Sequence, residues 1–431
     1  MHLKFTLFLI WTIVLGSCVK EDLTVPKSHH LPVFEIEIDP EYLWSTDSGL
    51  YVIGTNGVFG KQGCTGLFPA NYNQKWEYPA LVRYFPEGEE LSVFEERVGF
   101  RIKGNCSSRI KSMKSIGLYW RSEYGNSAIE YPFFPEAKTD RFKRLTLRNS
   151  GNDFGRTHLK DAAVIQIFKD YARVDYQEYR PSVLYLNGEY WGIHNMREMI
   201  TPHHFKFNYN VDDDLVDLLE GSPLAPEVDD GSSEAFLQEV IDFIKSNSLK
   251  ETENYKVISE RIDIGNFIDY MIIETYIGNV DWPITNSRWW RENKVGGQFH
   301  KWRWVAYDHD VAFRSENMTN VWIGDLYGEP YDSGKIDGFF IFNNLILNEE
   351  FRHDFFSRYL FFIDTVFDPA RVERILMEMK ENLREEYPRH QKKWDTLPMG
   401  RWESSVDKII SVNRKRNEIM KEIITSLYEE S

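Results

Sequence analysis

The chain has 431 residues, enough for one large two-lobed unit or for two or three domains. Its formal net charge of −16 excludes non-specific binding to nucleic acid or to an anionic membrane, because the summed field repels phosphate; a phosphate-handling site must be locally basic or use a metal cation. An aromatic fraction of 15%, with 13 Trp, excludes a disordered chain.

Residues 1–18 read as an export signal, with Lys4 ahead of an apolar run from Phe5 to Val14 that is too short to span a bilayer. Leu15-Gly16-Ser17-Cys18 resembles a bacterial lipobox, in which Cys18 is lipidated and becomes the mature N-terminus. This predicts a cell-envelope protein held at the outer membrane or cell surface by its lipid, with residues 19–31 as a polar tether. Cys64 and Cys106 then remain, and one disulfide or two buried thiols are both compatible with the sequence.

Residues 32–200 are strand-rich. Strands are predicted at Phe34 to Ile38, Tyr51 to Gly54, Leu81 to Phe85, Leu91 to Phe94, Val98 to Lys103, Ile116 to Trp120 and Arg144 to Asn149. Between the fifth and sixth lies Gly104-Asn105-Cys106-Ser107-Ser108-Arg109, followed by Lys111 and Lys114. Small residues followed by bases suit a phosphate wrap, and equally a solvent-facing loop. Asp161 to Tyr171 has helical periodicity, and Asn187-Gly188 between two apolar runs is a strong hairpin signal.

Residues 201–431 read as mainly helical. Val211 to Ser259 is predicted helical with an exposed loop from Gly221 to Ser233, and Asp212-Asp213-Asp214 as a helix start or solvated corner. Ile264 to Ile277 is an apolar helix that ends at Gly278, a suitable cap. Arg288 to Arg291 and His300 to Tyr307 form a predicted hairpin, Asn317 to Asp337 a polar loop, and Phe339 to Glu430 a helical scaffold.

The chemistry concentrates between Asn279 and Phe313. Asp281 and Asn286 have the spacing that kinase catalytic loops use for a carboxylate that accepts a hydroxyl proton and an amide that holds a metal. Asp308-His309-Asp310 follows at the end of the next hairpin and adds two hard oxygen ligands suited to magnesium. Two other readings of the same carboxylates stand beside this one. They could cap turns and pair with Arg288, Arg291 or Arg303, or Asp308-His309-Asp310 could hold the cation of a nucleotide-sugar transferase.

Several motifs recur in order from Gly99 to Phe313, about half of the 431 residues. They are Gly99 to Gly104 with Arg109 and Lys114-Ser115; Leu147-Arg148-Asn149; Val183 to Gly192 with Arg197-Glu198; Asn279-Val280-Asp281-Trp282 with Asn286; and Trp304 to Phe313. This set resembles the spore-coat CotH kinase family. The resemblance implies an α+β, two-lobed atypical kinase-like fold, with a β-rich N-terminal lobe and a mainly helical C-terminal part. It implies binding of ATP with magnesium or manganese, and phosphorylation of Ser/Thr in secreted or surface proteins. Carried over by position, Asp281 is the catalytic carboxylate, Asn286, Asp308 and Asp310 are metal ligands, and Lys114, Arg109 and Glu198 form the nucleotide-binding set. An inactive relative serving as a surface binding module is the alternative, with Trp282-Pro283 after Asp281 as its motif.

Overall fold

Strand alternation in the first half of the chain closes into a barrel. The computed structural model describes residues 29–61, 64, 68–283, 285–314 and 336–429; the export signal, Cys18 and most of the predicted 317–337 loop lie outside these. The strands of the N-terminal part are β1 (Val33–Ile38), β2 (Tyr78–Phe85), β3 (Phe94–Ile102), β4 (Ile116–Tyr119), the short ribbon β5 (Ile129–Glu130) and β6 (Arg141–Phe142), β7 (Arg144–Arg148), β8 (Asp175–Tyr176), β9 (Tyr179–Leu186) and β10 (Glu189–Glu198). Seven of them form the closed barrel in the order β1-β2-β3-β4-β7-β10-β9. Its one parallel seam is β1 on β9, which leaves no sheet edge.

The barrel core is apolar and includes Phe34, Val82, Phe100, Leu118, Leu145, Leu147, Leu184 and Met196. In β7 the two leucines point inward, so Arg144, Thr146 and Arg148 face outward. Asn187 and Gly188 both take left-handed φ, as a tight β9–β10 hairpin requires.

Three local expectations differ from the structure. Leu91 to Phe94 and Val98 to Lys103 are parts of one approach and one strand: Leu91 and Val93 are exposed, and β3 runs unbroken from Phe94. Tyr51 to Gly54 is a turn that returns to the short helix Pro40–Trp44, with the Tyr51 amide donating to the Leu43 carbonyl at 3.0 Å. Val211 to Ser259 is helical only in its second half, at Phe236–Asp242, Phe243–Ser246 and Thr252–Ser259; its first half, including the expected loop, is the hairpin β11 (Val216–Ser222) and β12 (Ala225–Asp230). The acidic, exposed β12 lacks an apolar face, so its pairing to β11 sets its conformation.

The C-terminal part builds on a sheet of order β12-β11-β13-β14-β8, where β13 is Arg288–Glu292 and β14 is Arg303–Ala306. Helix Ile264–Ile277 packs behind it and ends on Gly278 at φ 61°. Helices Glu349–Phe361, Pro369–Arg384, Tyr387–Trp394 and Met399–Glu429 complete a second apolar core shared with helix Lys160–Phe168. The fold is therefore mixed α+β, strand-rich first and helical after. Cys64 and Cys106 form a disulfide.

Candidate active site at the barrel rim

Arg148 stands at the end of β7, on the outer face of the barrel. Its Nη2 donates to both Asp308 and Asp310, at 2.8 Å for Asp310 Oδ2. The sheet chain leaves β14 and turns through Asp308 at φ 61°, a left-handed conformation that Asp tolerates, which brings Asp308 and Asp310 under the same guanidinium. Asp310 is buried and also accepts from the Asn152 amide at 2.9 Å and from Asn152 Nδ2 at 3.1 Å.

Asp161, in the first turn of helix Lys160–Phe168, anchors this group from below. Its Oδ1 accepts the His309 amide at 2.9 Å, its Oδ2 accepts from Arg197, and that oxygen lies 3.7 Å from Arg148 Nε.

The charges explain one another. Burial, then the neighbouring Asp308, pushes the Asp310 carboxyl up to about 7. Burial also opposes the charge on Arg148, but Asp308, Asp161 and Asp310 outweigh it and raise its pKa. Burial would raise Asp161, yet Arg197, His309 and Arg148 hold it well below the usual carboxylate range. Burial disfavours the His309 cation, and Glu274 and Asp161 overcome this, raising it to about 9.

Asp281 is half-buried in the turn that follows helix Ile264–Ile277. Asn279 Oδ1 accepts the Asp281 amide at 3.4 Å. Trp282 is turned into the core, where its Nε1 donates to the Tyr270 hydroxyl at 2.7 Å and its ring meets Phe339 edge-on at 5.1 Å. The bulky residue after Asp281 thus anchors the turn. Asn286, at φ 59°, donates from Nδ2 to the Asp308 carbonyl at 3.5 Å, which turns its Oδ1 away from that carbonyl. The structure brings Asn286, Asp308 and Asp310 together, with Asp281 on the same turn as Asn286.

The other predicted binding residues have separate partners. Lys114 Nζ donates to the Arg109 carbonyl and, at 3.2 Å, to the Lys111 carbonyl, and lies 4.0 Å over the Tyr72 ring. Burial, then Arg109, lowers its pKa to about 7. The Arg109 guanidinium donates to the carbonyls of Gly104, Tyr72 and Ile102. Both cations therefore act as struts within the loop after β3. What joins that loop to the acidic group is Asn149: Nδ2 donates to the Met113 carbonyl at 2.7 Å, and Oδ1 accepts the Gly151 amide at 3.0 Å. Glu198 accepts from Asn208 Nδ2 at 2.9 Å and from the Glu178 amide at 3.1 Å, with His204 at 3.3 Å.

The three arginines of the turn-capping reading are elsewhere. Arg288 pairs with Glu220, Arg291 with Asp217 and Arg303 with Asp175. The cation on Asp308 and Asp310 is Arg148, which lies 160 residues from Asp308 in sequence.

Further cations line the approach. Lys160 is buried, and among the described residues its ammonium makes no hydrogen bond or ion pair; burial lowers its pKa, Asp153 and Asp310 attract it, and Arg156 and Arg314 repel it. Lys103 lies on the outer side of the β3 end, lowered to about 8 by burial, then by Arg288, with Arg101 and Arg144 adding to the repulsion. The sequence signal for this wall is the alternation of Arg101 with Lys103 and of Arg144 with Arg148 on barrel strands.

Asp308, Asp310 and the Asn286 amide offer hard oxygen donors of the type magnesium or manganese takes, and Asp308 adds to the burial that raises the Asp310 carboxyl, a contribution that a cation would relieve. Among the described residues no group of three or more His, Cys, Asp or Glu is arranged for a metal.

No curated protein is a significant match to the sequence. The family model described as CotH kinase protein matches residues 100–420, which takes in most of the barrel, the acidic group and nearly all of the C-terminal helices. The chain belongs to the CotH kinase family.

Proposed function

We propose that this protein is a two-lobed kinase-like enzyme that transfers the γ-phosphoryl group of ATP to Ser/Thr hydroxyls of secreted or surface proteins. The observation that carries the reading is the meeting of Asp308 and Asp310 under Arg148, with the Asn286 amide at the Asp308 carbonyl and Lys160, which makes no hydrogen bond or ion pair among the described residues, within electrostatic reach of Asp310, in a chain whose net charge is −16. Acidic ligands for a cation and local bases for phosphate oxygens are what phosphoryl transfer needs.

A magnesium ion held by Asp308, Asp310 and Asn286 Oδ1 would supply positive charge against the phosphates. Arg148 and Lys160 neutralise the phosphoryl oxygens, and the Lys103–Arg144 wall holds the rest of the anion. Asp281 orients the acceptor hydroxyl and takes its proton; the acceptor oxygen forms its bond to the γ-phosphorus as the bond to the bridging oxygen breaks, and ADP leaves. In this reading the barrel is the nucleotide-covering lobe and the loop fixed by Asn149 is its phosphate-side edge. Anchoring of Trp282 in the core supports an ordered catalytic turn over an inactive one. The Leu15 to Cys18 lipobox supports a lipid-anchored site of action in the bacterial envelope.

Incubation with magnesium and γ-labelled ATP tests this. Labelled Ser/Thr that disappears in Asp281→Ala is expected. Absence of label from wild type, together with stabilisation by a nucleoside diphosphate sugar and not by ATP, would overturn it.

A further inference from the structure

Glu274 is a carboxylate with no solvent exposure in helix Ile264–Ile277; the helix's other buried carboxylate, Asp269, is paired with Arg173 and Arg358, whereas Glu274 has no arginine or lysine partner among the described residues. Burying such a group is costly unless both oxygens are matched. One oxygen lies 3.1 Å from His309 Nε2, and the other accepts from Asn279 Nδ2 at 3.0 Å. Each partner leads to a different half of the site. Asn279 receives the Asp281 amide on its Oδ1 at 3.4 Å. His309 lies between Asp308 and Asp310 in sequence, and its amide is fixed by Asp161, which neighbours the Arg148 that binds both carboxylates. A second backbone tie, from the Phe313 amide to the Ile277 carbonyl at 2.9 Å, holds the same two segments together beyond the carboxylate.

We propose that Glu274 is a positioning residue that sets the Asp281 turn in register with the Asp308–Asp310 turn. It touches neither substrate nor metal. The inference rests on the proposed phosphoryl transfer for its kinetic consequence, and on hydrogen bonds alone for its structural one. A side chain whose two oxygens serve two turns fixes their separation in a way that two independent contacts do not. The required geometry is narrow, since a displacement of about 1 Å at a reacting group costs on the order of 100-fold in rate.

The exchanged pair is the discriminating test. In Glu274→Gln one oxygen becomes an amide nitrogen, so one of the two contacts faces a donor with a donor. In Glu274→Gln combined with Asn279→Asp, the new amide can donate to the new carboxylate while its oxygen still accepts from His309. Expected for Glu274→Gln is a fall in kcat of about 10- to 100-fold with KM for ATP within about 3-fold. The double variant is expected to recover kcat to within about 5-fold of wild type, because the coupled pair is restored.

Hydrogen exchange gives a second readout that needs no activity. In Glu274→Gln the segments 279–287 and 305–313 are expected to exchange faster together, and both to return towards wild type in the double variant. Should Glu274→Gln lose its circular dichroism, Asn279→Ala is the second variant, expected to loosen 279–287 while the Glu274–His309 contact persists. Unchanged kcat, no recovery in the double variant, or unchanged exchange in both segments would overturn the positioning role. If wild type shows no turnover with ATP, the proposed phosphoryl transfer fails, and the exchange measurements alone decide whether Glu274 couples the two turns.

Discussion

Gly151 lies directly beneath the carboxylate of Asp310: a Cβ built on its backbone would stand 2.0 Å from Asp310 Oδ2 and 2.8 Å from an Arg148 nitrogen. Its φ of +57° adds a second reason for glycine at this position. Gly151→Ala is therefore expected to displace Asp310 and to destabilise the fold by about 1–3 kcal/mol, with magnesium-dependent ATP affinity reduced at least about 10-fold. Urea denaturation and calorimetry on the same preparation check the two effects separately.

Arg148 compensates Asp308 and Asp310 at once and lies near Asp161. Removing the cation leaves buried negative charge without its partner, so Arg148→Met is expected to cost about 3–5 kcal/mol at pH 7. Added magnesium is expected to recover part of that loss by occupying the same carboxylates. Thermal denaturation with and without magnesium measures both.

Lys114 and Lys160 separate two ways of holding phosphate. Lys114 is taken up by carbonyls of its own loop and by the Tyr72 ring, whereas Lys160 makes no hydrogen bond or ion pair among the described residues and is attracted by Asp153 and Asp310. Lys160→Met is expected to weaken ATP binding by about 10-fold, consistent with loss of one charge-assisted contact worth about 1.5 kcal/mol or more. Lys114→Met is expected to lower the melting temperature more than it lowers affinity. Calorimetry and a melting curve for each variant distinguish these outcomes.

A buried histidine group gives the stability its acid limit. His158 and His390 have rings 4.6 Å apart, and both engage Ile193 of β10: His158 Nε2 bonds the carbonyl at 2.9 Å and His390 Nδ1 accepts the amide at 3.0 Å. Burial lowers His158 to about 4, against weaker pulls from the Ile193 carbonyl and Asp153, and lowers His194 to about 3 and His390 well below its ordinary value. The folded pKa values lie below the unfolded value of 6.5, so the unfolded chain binds more protons in this range. Their stabilising contribution is present above pH 6.5 and is lost as pH falls from there through 4, by up to about 3 kcal/mol for His158 alone. The urea midpoint of wild type is expected to drop across that window, and that of His158→Gln to drop less.

Local chemistry made much of this fold readable. Asn187-Gly188 specified its own turn, Gly278 ended its helix, and the inward leucines of Arg144 to Arg148 set which face carries the arginines. Asp281, Asn286, Asp308 and Asp310 were visible because they sit at turns between regular elements. The β11–β12 hairpin was not, since Ala225–Asp230 is acidic and exposed and takes strand form from its neighbour. Nor were the partners of the acidic group: Arg148, Asp161 and Glu274 are distant in sequence, and only barrel closure and helix packing bring them to it. The cysteines were compatible with pairing or burial, and only the fold brings Cys64 to Cys106, 42 residues away in sequence.

Calorimetric titration of ATP into the protein, with and without magnesium and repeated on Asp308→Ala, tests the central claim most directly. Binding that requires magnesium in wild type and is lost in Asp308→Ala, while the variant keeps its circular dichroism, is the expected result. Absence of binding in wild type, or magnesium-dependent binding that persists unchanged in Asp308→Ala, would contradict a metal-assisted nucleotide site at the barrel rim.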